Sequence, residues 1–222
     1  MTSRTECPLP PANIASGTLR LHTLTPDDSL YRICRGSDPV SFSLSSRGNR
    51  FDPLASPWHA SKALYAASSP EAAISETVLR WQDRIGAGGK ILLSRSQITG
   101  RTLVGLQWGR PLEVLDFTGF GLKALAELVT EGRAEDIFLA GAASYGRCQH
   151  WGSLFRSAYP NAAGFRWMSR HYNSSYCYVF YDESTQPHGF RKILINEALE
   201  RGTAAFSLLE KCVTALSWEL ES

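Results

Sequence analysis

The chain has 222 residues, enough for one substantial hydrophobic core, and its 43% apolar and 20% charged content is that of an ordinary soluble globular protein. Its 23 basic and 21 acidic side chains leave a net charge of +2 with no block of like charges, which argues against a strong nucleic-acid footprint. The odd, scattered cysteines (Cys7, Cys34, Cys148, Cys177, Cys212) argue against a zinc site or a disulfide framework.

Residues 1–11 lack the apolar run of a signal peptide, and nowhere do about 18 consecutive apolar residues mark a transmembrane helix. A cytoplasmic location is therefore expected. Residues 1–28, rich in Pro, Thr and Ser, read as an extended N-terminal arm with one short strand at 19–24. Residues 30–34 alternate as a strand, and 36–60 are crowded with turn-forming Ser, Gly, Asn, Asp and Pro. A short strand is predicted at 63–67, followed by a helix whose start is marked by Ser69 as cap, Pro70 in the first turn and Glu71 beside the dipole.

Ile74, Val78, Trp81 and Ile85 form one apolar stripe, so that helix is predicted to reach about Ile85. Glu76 lies about 160–200° from the stripe, on a face it shares with Ala72 and Leu79. Gly86-Ala87-Gly88-Gly89 reads as the helix stop; it follows a helix and lacks a lysine-serine ending, so it is not a phosphate loop. Strands are predicted at 90–93, 103–106, 111–117, 163–168, 176–181 and 192–195. Helices are predicted over 122–129 and 147–159, and again from Phe206 toward Leu220. Mixed elements without regular βαβ alternation give an α+β class: a single domain with a mixed β-sheet core flanked by helices.

Three stretches carry chemistry-bearing residues. The first is Leu30-Tyr31-Arg32-Ile33, followed by Arg47-Gly48-Asn49-Arg50-Phe51-Asp52-Pro53. The second runs from Leu64-Tyr65 through Ser69-Pro70-Glu71 to Ser75-Glu76. The third is Gly164-Phe165-Arg166-Trp167-Met168-Ser169-Arg170, leading into Tyr178-Val179-Phe180. In this order they resemble the RES domain, a family named for an arginine, a glutamate and a serine. The resemblance spans residues 29–181, which leaves 1–28 as the arm and 182–222 as a C-terminal helical extension of a domain covering 29–222.

The resemblance implies an ADP-ribosyltransferase-like fold and a toxin that depletes NAD⁺ by hydrolysis or phosphorolysis of its nicotinamide–ribose bond. It also implies a helix-turn-helix antitoxin as partner. Carried over by position, Arg32, Glu76 and Ser169 are the catalytic residues, and Arg32, Arg50, Tyr65, Ser169 and Arg170 bind substrate. No metal or resident cofactor is implied; NAD⁺ is the substrate, with inorganic phosphate as an optional co-substrate. No membrane contact or direct nucleic-acid binding is expected, and a homodimer stays open.

The residue types suit that reaction. Arginine's planar fork binds phosphate oxygens in pairs, and an aromatic face suits the cationic nicotinamide ring. A fixed carboxylate stabilises the oxocarbenium-like ribose as the bond breaks. Two other readings use the same residues: transfer of ADP-ribose to a macromolecule, and a non-catalytic NAD-binding module. In a transferase a further Glu or Gln commonly precedes the glutamate by two residues, where this chain has Ile74.

Each residue also has a plainer explanation. Arg32 reads as a salt-bridge partner on a sheet face, Arg50 as a turn cap, Tyr65 as core, and Glu76 as the i,i+4 partner of Arg80. Ser169 alone says little. Arg35 is a second phosphate-binding candidate without an assigned role. His59, His150, His171 and Cys148 fit no zinc spacing and are read as chance. Trp151, Phe155 and Tyr159 read as the core face of a helix.

Overall fold

The structure, a computed structural model, describes residues 6–36, 38–42, 48–54, 62–80, 92–182 and 190–220. Eight strands make the main sheet: β1 (Leu21–Leu24), β2 (Ser29–Arg35), β3 (Ala63–Ala67), β5 (Arg101–Trp108), β6 (Leu112–Phe117), β7 (Gly164–Met168), β8 (Tyr176–Tyr181) and β9 (Phe190–Ala198). They lie in the order β1-β6-β7-β8-β3-β2-β5-β9, and only β6 and β7 run parallel. Two short strands, β4 (Leu92–Leu93) and β10 (Glu219–Leu220), pair separately. The helices are α1 (Pro70–Thr77), α2 (Arg95–Ile98), α3 (Phe120–Ala126), α4 (Asp136–Leu139), α5 (Tyr145–Ala158) and α6 (Ala204–Ala215). None is long and apolar enough to cross a membrane.

Because side chains alternate across a strand, register assigns each residue to a face. Tyr31, opposite Ala67 and Gly105, shares one face with Ile33, Tyr65, Val179, Phe165 and Phe117. That face carries two separate helical covers. On the β6-β7-β8 half, Trp151 and Phe155 of α5 and Phe138 of α4 pack on Phe117, Phe165 and Trp167. On the β3-β2-β5 half, Ile74 and Val78 pack with Leu209 and Val213 of α6 on Ile33 and Leu103. The opposite face buries Leu30, Leu64, Trp108, Val114 and Phe180. The mixed α+β single domain expected from the sequence is what forms.

Both ends of the chain differ from expectation. Residues predicted as an extended arm contribute Cys7, Ile14 and Leu19 to the core, and β1 pairs with β6 at the sheet edge. The predicted helical extension begins instead with β9, nine residues that complete the sheet beside β5, before α6 folds back onto α1. β9 escaped notice beyond its middle because its edge position leaves it half polar.

The helix that starts at Ser69 begins as predicted, with Ser69 Oγ accepting from Ala72 N at 3.2 Å. It stops at Thr77, where Leu79 N reaches back to Ile74 O and tightens the last turn. The predicted continuation through Trp81 and Ile85, the glycine stop at 86–89 and the start of the 90–93 strand lie outside the described residues. Short α2 and α4, four residues each, were not predicted, because one turn carries no periodicity.

Candidate active site

Glu76, next to last in α1, meets the residues that follow β7. Its Oε1 accepts three hydrogen bonds: from Ser169 Oγ at 2.6 Å, Arg170 N at 2.8 Å and His171 N at 3.2 Å. The buried Cys177 thiol also lies against this carboxylate; burial first, then the charge and hydrogen bond of Glu76, push the thiol pKa up. Ser169 is 1% exposed, and its Oγ in turn accepts from Tyr172 N at 3.0 Å. Burial pushes the Glu76 carboxyl up, but Ser169, the two backbone amides and nearby His171 outweigh it and hold the pKa below the ordinary glutamate value. The carboxylate is therefore ionised and fixed.

Both ends of α1 are tied to the loop that supplies those donors. Ser69 Oγ meets Ser175 Oγ at 2.8 Å, and Ser68 Oγ accepts from Tyr176 N at 2.9 Å. Ser169 N donates to Ser175 O and Ser175 N to Tyr172 O, closing residues 169–175 on themselves. The cluster of serines around the start of α1 thus serves two ends: one caps the helix, and the others clamp the loop that grips Glu76.

Arg50 and Arg170 arrive from different directions at adjacent carbonyls beyond α4. Arg170 Nη1 donates to Leu139 O and Arg50 Nη2 to Ala140 O, each at 3.0 Å. The Arg50 guanidinium also lies 5.7 Å from the Tyr145 ring centroid. The loop holding Arg50 is braced from beneath. Asp52 Oδ2 accepts from Asn49 N at 2.6 Å, and Gln149 Nε2 donates to Asn49 O at 3.0 Å. The left-handed residue of this turn is Gly48, at φ +67°, rather than Asn49.

Tyr65 acts on the same loop: its hydroxyl donates to Asp52 Oδ1 at 3.1 Å and accepts from Phe51 N at 2.9 Å. That hydroxyl is buried, and burial together with the Asp52 charge drives its pKa well above the usual tyrosine value. Part of the residue stays exposed. Tyr65 is thus a half-buried brace for that loop.

Arg32 is not brought to this site. It pairs with Val104 in the register that places Leu30, Arg32 and Cys34 on the reverse face, away from α1. Its Nη1 donates to Ser41 O at 2.8 Å, and its buried Nε has no partner. Glu76, Ser169, Arg170, Arg50 and Tyr65 are gathered; Arg32 sits behind the sheet. The Glu76–Arg80 surface pair gives way to the Ser169 contact as the main partner of Glu76.

Sequence reasoning missed His171 and Asp52. His171 follows the Ser169-Arg170 pair directly, which was the available signal. Burial lowers the imidazole pKa; Glu76 opposes this, while Arg170, Arg80 and Arg50 reinforce it. Asp52 stood within the Arg50-Phe51-Asp52-Pro53 run, but only the fold reveals that it is 3% exposed and pins the turn. Among the described residues no three His, Cys, Asp or Glu side chains gather to hold a metal, and His59 lies outside them.

The profile of the RES domain matches residues 29–201. The chain belongs to the RES domain family. Among solved structures this RES-domain chain is similar to one from the M. tuberculosis MbcT–MbcA toxin–antitoxin complex, with a TM-score of 0.54 and 16% identity over 85% of this chain and 90% of that one. At that identity the likeness is one of fold. A search of curated proteins finds no match.

Proposed function

We propose that this RES-domain protein is a toxin that cleaves the nicotinamide–ribose bond of NAD⁺. The observation that carries this is the ionised Glu76, fixed by Ser169 and two backbone amides beside the Arg50–Arg170 pair. As the bond breaks, its electron pair leaves with nicotinamide, which departs neutral, and positive charge builds on the ribose. A carboxylate held in advance stabilises that charge without reorganising. Oε1 is committed to its three donors, so Oε2 is the oxygen that faces the ribose.

Arg50 and Arg170 each use one nitrogen on a carbonyl and keep further N–H donors for the diphosphate. Tyr65 positions Arg50 through Asp52 and offers its ring to the nicotinamide. The acceptor is water, giving ADP-ribose and a released proton, or phosphate, giving ADP-ribose 1″-phosphate. Membership of the RES family and the fold shared with a chain of a toxin–antitoxin complex support the toxin assignment. The complex in which that chain was solved also supports a cognate antitoxin as partner; the partner proposed is of helix-turn-helix type, and the compartment proposed is the cytoplasm.

The test is NAD⁺ consumption by the purified chain, with and without phosphate, products resolved by chromatography. Nicotinamide release is expected, reduced about 100-fold or more in Glu76→Gln. Intact NAD⁺ after incubation with folded protein would overturn the reading. Labelled ADP-ribose on lysate proteins would replace it with macromolecular transfer.

A further inference from the structure

A second basic centre lies at the rim of the same sheet face. Arg35 ends β2 and Arg101 begins β5, and the two are direct cross-strand partners. Like charges in that relation repel, since opposed Cβ atoms lie about 4.5–5.5 Å apart. The Arg101 Nε is buried without a hydrogen-bond partner, and no carboxylate pairs with Arg101 among the described residues. Arg35 Nη2 donates only weakly to Ser96 O, at 3.2 Å.

Arg80, in the turn after α1, adds a third charge. Burial first, then Arg35 and Arg80, push Arg101 down to about 10. A fold seldom buries an unsatisfied donor and opposes two arginines without return. An anion seated between them would satisfy the donor and cancel the repulsion.

We propose that Arg35 and Arg101 form a binding site for a phosphoryl group, distinct from the Arg50–Arg170 pair. The naming of the donor rests on the proposed function: a phosphate of the dinucleotide, or free inorganic phosphate brought to the reaction. Both present the same oxygens to the same guanidinium forks.

The experiment measures thermal unfolding of the full chain, without NAD⁺, against inorganic phosphate and separately against ADP-ribose, with ionic strength held constant by chloride. At tenfold excess over Kd a rise in Tm of about 3 °C or more is expected with at least one ligand. Stabilisation by phosphate identifies the free ion as the source, and stabilisation by ADP-ribose alone identifies the dinucleotide. In either case Arg35→Ala and Arg101→Met should weaken that ligand at least tenfold. Arg35 is exposed, so Arg35→Ala keeps the test open if Arg101→Met fails to fold. In phosphate-free chloride buffer Arg35→Ala should itself raise Tm by relieving the repulsion.

Ligand affinities unchanged in Arg35→Ala and Arg101→Met, or no stabilisation by either ligand, would overturn the proposal. No turnover is required, so phosphate binding can stand where NAD⁺ cleavage fails, and cleavage can stand where this site fails.

Discussion

Three donors converge on one oxygen of Glu76, so substitutions around it differ in kind. Ser169→Ala deletes the shortest of the three bonds and leaves Tyr172 N without its acceptor at a part-buried position. A loss of about 1–3 kcal/mol is expected in urea unfolding, with activity reduced rather than abolished because the two amides remain. Acid acts on the same group. The folded Glu76 pKa lies below its ordinary value near 4.5, so its stabilisation is present above that pH and is lost as pH falls through the folded value. His171 is also depressed from 6.5, by burial first, so native stability should begin to fall earlier, as pH drops below about 6.5. Urea midpoints measured across pH should therefore show two descents, and His171→Gln should diminish the upper one. Arg32→Met is expected to alter stability while leaving the KM for NAD⁺ unchanged; a raised KM would return Arg32 to the site. Its face was not legible in the sequence because β2 is flanked by packing on both sides. Leu30 and Ile33 are buried on opposite faces, so the alternation read over 30–34 did not mark which way Arg32 points.

At the scale of elements, α1 was the most legible part of the site. Its cap and first turn are written in Ser69 and Pro70, and its Ile74 and Val78 stripe does pack on the sheet. Its early end was not legible, because apolar residues at 81 and 85 continue the period whether or not the backbone does. The partner of Glu76 lies 93 residues away at Ser169, a pairing that spacing cannot reveal and only the family motif brought to notice. The strand that delivers Ser169 has its own requirement. A Cβ on Gly164 would collide with the Val179 carbonyl of β8. Gly164→Ala should therefore force β7 from β8 at a cost of about 1–3 kcal/mol or more, seen as a lowered unfolding midpoint. Because β7 ends at the Glu76 donors, NAD⁺ cleavage should fall with it.

For the whole molecule, the matched family region at 29–201 is not the folding unit. Leu209 of α6 is 0% exposed and packs in the cluster that seats α1, and Cys7 and Leu19 belong to the core on the other half of the sheet. Leu209→Ala should cost about 2–5 kcal/mol in unfolding. It should also reduce activity, although the residue touches no part of the site. A chain ending at residue 201 is expected to lose cooperative unfolding altogether. The architecture as a class was legible because strand and helix patterns are mixed from 63 to 181 without regular βαβ alternation. The roles of the ends were not, since short edge strands and a proline-rich opening have the composition of loops.

The carboxylate of Glu76 also serves as a latch between segments far apart in the chain. The amides of Arg170 and His171 can trade their hydrogens with solvent only when that latch lifts. Deuterium uptake at these two positions would therefore time the release of α1 from the 169–171 segment, and a ligand that steadies the Glu76 carboxylate would slow both together.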